Sequence, residues 1–138
     1  MNVLDPRYRS PGMIFPLIGV RLHGWLDDLV VIVYLLGAAA LHLRGAALAV
    51  ALAGAGVHFL LTRLTNYPQG TVKIIPFRVH AFIELGEGAA VLAAAIIAPF
   101  GLGVSPLSAR LFLGALGLSQ FAAFSFSDYG TPRTPRAP

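Results

Sequence analysis

Residues 21–27 read RLHGWLD, and 57 positions later residues 78–84 read RVHAFIE. Each copy carries an Arg, a His two residues on, and an acid four residues beyond the His. Positions i and i+4 share one face of a helix, so His23 and Asp27 point together, and so do His80 and Glu84. The surroundings are apolar. Of the 138 residues only 12% are charged, against roughly 25% in an ordinary soluble domain. A chain with so few charges repeats one pattern of them.

Four stretches, 29–43, 45–62, 88–109 and 111–127, contain no Asp, Glu, Lys or Arg. A bilayer-spanning helix needs about 20 mostly apolar residues. With a few flanking residues, each stretch supplies one. The expected fold is an all-α integral membrane protein with four transmembrane helices, near 23–43, 45–64, 78–98 and 107–127. A soluble bundle would need a polar face on each helix. A transmembrane barrel would need alternating strands. With no cysteine, disulfides, thiolate metal sites and Cys nucleophiles are absent.

The repetition extends beyond the two motifs. Residues 12–27 (GMIFPLIGVRLHGWLD) parallel 70–84 (GTVKIIPFRVHAFIE), and 58–67 (HFLLTRLTNY) parallel 120–129 (QFAAFSFSDY). The second match aligns Thr65 with Ser127 and Tyr67 with Tyr129. The expected organisation is a polar N-terminal tail over 1–12 and a four-helix membrane domain over 13–129. Within it, repeat one covers 13–68 and repeat two 70–129, and a Pro-rich tail follows over 130–138. Two spans per unit return the chain to its starting side. The units are therefore expected to be parallel, related by a pseudo-twofold axis along the membrane normal. The two R-x-H motifs should then face each other at one depth.

Charge placement gives the orientation. With both termini on one side, that side holds Arg7, Arg9, Arg21, Arg63, Lys73, Arg78, Arg133 and Arg136, and the other holds Arg44 and Arg110. The positive-inside rule puts the richer side in the cytoplasm. The expected location is a bacterial-type plasma membrane, the cell inner membrane, with both termini cytoplasmic. Basic residues flanking spans are explained by topology and anionic lipid, and no nucleic-acid partner is implied. Trp25, Tyr67 and Tyr129 stand where interfacial anchors would. Residues 13–20 and 72–77 either lie in the interface or start their helices early. Pro99, Gly101, Gly103 and Pro106 interrupt the chain on the far side.

At about 1.5 Å rise per residue, Asp27, His58 and Glu84 fall at similar depth on the cytoplasmic side. His58, Thr62 and Thr65 share a face, and Glu87 continues that of His80 and Glu84. His42 lies at the opposite end and is expected to be a bystander. Asp28, about 100° around the helix from Asp27, is expected to meet headgroups or an Arg. Intramembrane ionisable residues usually face the bundle interior, paired.

Three readings of the cluster compete. In the first, His23, Asp27, His58, His80, Glu84 and Glu87 form a cytoplasm-facing transition-metal site, since imidazole and carboxylate suit zinc, iron, manganese or nickel. In the second, the protein is a redox subunit for b-type haem or a quinone, with Gly24, Gly54, Gly56, Gly86 and Gly88 making room for a ring. In the third, it is a structural or accessory subunit, and Arg21, His23 and Asp27 pair with Glu84, His80 and Arg78 to lock the helices. Small-residue faces such as 37–40 and 54–56 suit close packing in this bundle, in a homo-oligomer or against a larger membrane complex. Gly101 and Gly103 read as a turn, not a phosphate loop, and Ser105, Ser108 and Ser119 lack a His on their side. No catalytic residue is assigned.

Overall fold

The computed structural model describes residues 17–98 and 106–129. Both expected tails, the stretch 13–16 and the interruption at Pro99, Gly101 and Gly103 lie outside them. The described residues form four helices: α1 (Val20–Ala40), α2 (Gly45–Leu64), α3 (Phe77–Ile97) and α4 (Pro106–Phe126). All four are long and apolar enough to cross a membrane. The first begins three residues earlier than expected and ends three earlier. The turn after Ala40 explains the earlier end: His42 adopts φ 50°, a conformation that cannot continue a right-handed helix. His42 itself is exposed.

The outer surface is hydrocarbon. Leu22, Trp25, Ile32, Leu36, Leu60, Phe82 and Leu111 are all at least half exposed. The interior sorts into two layers. Toward the α1–α2 turn it is apolar and finely packed, with Tyr34, Ala38, Ala47, Ala51, Ala95, Ala109 and Leu113 buried. Toward the other end lie the buried polar groups His23, Asp27, His58, Thr62, Thr65, His80, Glu84 and Ser127.

Helix α1 packs chiefly on α2, and α3 chiefly on α4. Small residues set the second crossing. A Cβ on Gly117 would come within 2.9 Å of the Gly88 carbonyl oxygen and 3.0 Å of the Leu92 Cβ. The last carbonyls of α3 are capped by a cation, with the Arg110 guanidinium donating to Ala95 O and Ala98 O, a favourable placement at a helix C-terminus.

Matching short extended segments close the polar end. Leu17 and Ile18 donate their N–H groups to Phe126 O, and Asp128 N–H donates to Ile18 O; likewise Ile74 and Ile75 donate to Leu64 O, and Asn66 N–H to Ile75 O. Residues 17–18 and 74–75 are therefore not early helix starts. They are parallel bridges that satisfy the open carbonyls of α4 and α2, groups a helix end leaves without partners.

Gly117→Leu is expected to destabilise the bundle by about 1–3 kcal/mol through overpacking. Gly56→Leu, where a Cβ meets open space, should be close to neutral. Thermal unfolding in mild detergent reads both, and equal melting temperatures would contradict the α3–α4 packing described.

Candidate metal centre

The two R-x-H motifs converge. Each histidine sits in the first turn of its helix and points inward, and His23 Nε2 lies 3.2 Å from His80 Nε2. The arginines of the motif do not join them: Arg21 and Arg78 are exposed. The expected lock through Arg21 and Arg78 is thus corrected. A guanidinium two residues before an inward-facing His falls on the outer side of the helix.

Two carboxylates flank the imidazole pair. Asp27 Oδ1 is 3.3 Å from His23 Nε2, and Asp27 Oδ2 is 3.5 Å from His80 Nε2. Glu84 Oε2 lies 3.5 Å from His23 Nε2 and 3.8 Å from His80 Nε2. One ligand-capable atom from each of His23, Asp27, His80 and Glu84 lies within 4.8 Å of all the others, and every one of these residues is buried. This is a His/Asp/Glu cluster that could hold a metal ion.

Around it stands a second ring of hydroxyls. Thr65 Oγ1 is 2.6 Å from Leu61 O and 2.8 Å from His80 Nδ1. A threonine hydroxyl has one proton, and at that distance from a carbonyl it is given to Leu61. Thr65 therefore accepts from His80 Nδ1–H, leaving the neutral imidazole with an Nε2 lone pair directed into the cluster. His23 Nδ1 meets Ser127 Oγ at 2.7 Å. The Tyr67 hydroxyl donates to Asp27 Oδ2 at 2.6 Å, and the Tyr129 hydroxyl to Glu84 Oε2 at 3.4 Å. Both phenols are held above their ordinary pKa, first by burial and then by the neighbouring carboxylate, so they remain donors. Phe77 closes this end, its ring centroid 5.0 Å from His23 and 4.8 Å from Tyr129.

The tyrosines correct an expectation. Tyr67 and Tyr129 are not interfacial anchors; they are buried at 3% and 1% exposure, with their hydroxyls on the cluster. Only Trp25 lies on the outer surface. The sequence carried the signal in the aligned positions of Thr65 with Ser127 and Tyr67 with Tyr129, but a Tyr near a helix end reads equally well as an anchor.

His58 and Glu87 extend the cluster to one side. His58 Nδ1 lies 3.1 Å from Glu87 Oε2. Its Nε2, buried and at the limit of hydrogen-bond distance, faces Asp27 Oδ1 at 3.5 Å. Glu87 also accepts from Gln120 Nε2, which reaches Tyr34 as well. Asp28 is turned away and pairs with Arg63, one of the two partners expected of it.

Of the glycines expected to admit a ring, Gly24 abuts Tyr67 and Gln69, Gly88 abuts Gln120, and Gly56 meets open space. Gly54, which abuts Tyr34, and Gly86 line a crevice between α2 and α3. Two crevices flank the cluster. One, of about 470 Å³, opens between α1 and α4 and reaches Asp27 and Glu84. The other, of about 450 Å³, opens between α2 and α3 and reaches Glu87.

No protein-family model, curated protein sequence or solved structure matches the chain. The geometry alone carries the functional argument.

Thr65→Val removes the partner of a buried imidazole N–H and is expected to cost about 1–3 kcal/mol, with Thr65→Ser restoring most of it. Unfolding of the two variants in detergent would decide; a valine variant as stable as the parent would remove Thr65 from the hydroxyl ring.

Proposed function

We propose that this chain is a small integral membrane protein that holds one transition-metal ion between His23, Asp27, His80 and Glu84, with His58 and Glu87 as flanking groups. The observation that carries the reading is the spacing of the donors. Four ligands about 2.1 Å from a common centre in a tetrahedral array stand about 3.4 Å apart; the two imidazoles stand 3.2 Å from each other and 3.3 to 3.8 Å from the nearer carboxylate oxygens, and one ligand atom from each of the four residues lies within 4.8 Å of the others. The Nε2 lone pair of His80 adds to it, as do the hydroxyls on each imidazole Nδ1 and each carboxylate. Such outer partners fix tautomer and orientation at metal sites. Two nitrogens and two oxygens suit zinc, iron or manganese better than a thiophilic ion.

The same spacing argues against haem. Axial imidazoles in line across an iron stand about 4 Å apart at bonds of about 2 Å, with a macrocycle between them. The histidines here are closer than that, and the rings of Phe77, Tyr67 and Tyr129 stand against them.

In this reading the apolar belt faces lipid, both termini lie in the cytoplasm of a bacterial-type membrane, and the cluster sits nearer that side. Eight of the ten basic residues then lie on the cytoplasmic side. The matched contacts support a duplicated architecture with a pseudo-twofold axis along the membrane normal: His23 with Ser127 as His80 with Thr65, and Asp27 with Tyr67 as Glu84 with Tyr129. A second reading makes the chain a structural subunit, alone or in a larger complex, whose polar layer locks the helices. It is favoured by the partners the carboxylates already have in Tyr67 and Tyr129.

Metal-free protein titrated with Zn²⁺ or Co²⁺ in mild detergent is expected to take up about one equivalent per chain. Uptake should vanish in His80→Ala and weaken about 10–100-fold in Tyr67→Phe. Affinity should fall as pH is lowered, because protons compete for imidazole and carboxylate. A folded protein that takes up no metal at neutral pH would leave the lock.

The orientation has its own test. A reporter that is active only in the cytoplasm, fused after Pro138, should be active, and one inserted between Leu43 and Gly45 should be silent. The reverse pattern would overturn the assignment.

A further inference from the structure

We propose that the Phe77 side chain is the door of the cluster: a metal ion enters and leaves at the end of the bundle where α3 begins, past this ring. The inference rests on the metal reading and names the route to that site.

The other routes are walled by hydrocarbon. Toward the opposite end the interior is filled by Ala38, Ala51, Ala95 and Leu113, which offer an ion no polar side chain. The crevice between α1 and α4 reaches Asp27 and Glu84, but Leu29, Val30, Val33 and Phe112 line it. Val50, Val57 and Ile83 line the crevice between α2 and α3. Leu29, Val57 and Ile83 are themselves exposed on the outer surface, so both crevices open where the bundle meets lipid. A charged ion does not arrive from hydrocarbon.

At the remaining end one ring stands over both histidines. Phe77 is half-buried, while the groups it touches are buried beneath it. Its centroid lies 5.0 Å from His23 and 5.6 Å from His80. It lies 4.8 Å from Tyr129 and 5.6 Å from Tyr67. Each pair joins equivalent residues of the two repeats, so the ring sits close to the proposed pseudo-twofold axis. A place on such an axis is filled once. The sequence agrees: Phe77 precedes Arg78, and Val20, a smaller residue, precedes Arg21.

The ring is also placed to move. Phe77 is the first residue of α3, directly after Pro76. Inside a helix the preceding turn blocks one of the three χ1 rotamers; at the first position there is no preceding turn, and all three are open. The backbone beside it is held, with Ile75 N–H on Leu64 O and Asn66 N–H on Ile75 O. Motion therefore belongs to the side chain. Swinging it aside breaks ring contacts and no hydrogen bond. Behind it wait the Tyr67 and Tyr129 hydroxyls on Asp27 and Glu84, oxygens that can replace the waters an entering ion sheds.

The test is kinetic. Co²⁺ uptake by the metal-free full chain in mild detergent is followed by stopped flow, and its release into excess chelator likewise. Phe77→Ala is expected to speed both by at least about tenfold, as loss of several ring contacts from the barrier would. Kd, the ratio of the two rates, should stay within about threefold of the parent. Phe77→Leu should act in the same direction and Phe77→Trp in the opposite one, which covers an alanine variant that fails to fold. Ala115→Phe and Ala90→Phe, which narrow the two crevices, should leave both rates unchanged. Slower uptake in either crevice variant places the entrance there and overturns the proposal. A changed Kd with an unchanged uptake rate makes Phe77 a packing residue and also overturns it. Cobalt uptake at rates indifferent to residue 77 sinks the door alone, whereas a folded parent that takes up no cobalt sinks the metal reading and the door with it.

Discussion

The rest of the structure depends on the cost of placing ionisable groups inside an apolar bundle. An uncompensated charge in such surroundings costs several kcal/mol or more, so every buried His, Asp and Glu must find company. They find it in one another. His23 and His80 meet at 3.2 Å, two carboxylates flank them, and four hydroxyls tie off the remaining valences. The connectors follow from this demand. The short extended segments at 17–18 and 74–75 bring Ser127, Thr65, Tyr129 and Tyr67 back over the helix ends, where the imidazoles and carboxylates need them.

That arrangement explains why the chain tolerates such a polar interior without a polar exterior. The helices contribute small residues where they cross and hydrocarbon where they face outward. Among the described residues, the buried His, Asp and Glu side chains are confined to one layer. Gly117 and Gly88 let α3 and α4 approach closely, and the buried alanines of the apolar layer do the same for the whole bundle.

Much of this was legible in the sequence. Four charge-free stretches foretold four helices, and i, i+4 spacing foretold that His23 and Asp27, like His80 and Glu84, would share a face. Recurrence of the motif pointed to the meeting of the two histidines. What could not be read was the direction of groups near helix ends. Tyr67 and Tyr129 turn inward because the chain after each helix folds back, a tertiary event that no local pattern encodes. Arg21 and Arg78 turn outward for the corresponding reason of helical angle, although their spacing from His tempted a pairing. The early end of α1 arose from the turn at His42, whose left-handed backbone the flanking apolar run did not signal.

The layered interior has one further consequence. All the buried ionisable groups among the described residues stand in the layer capped by Phe77, and beyond Tyr34 and Gln120 the bundle is filled by Ala38, Ala47, Ala51, Ala95, Ala109 and Leu113. Such packing offers no relay of polar atoms to the opposite end.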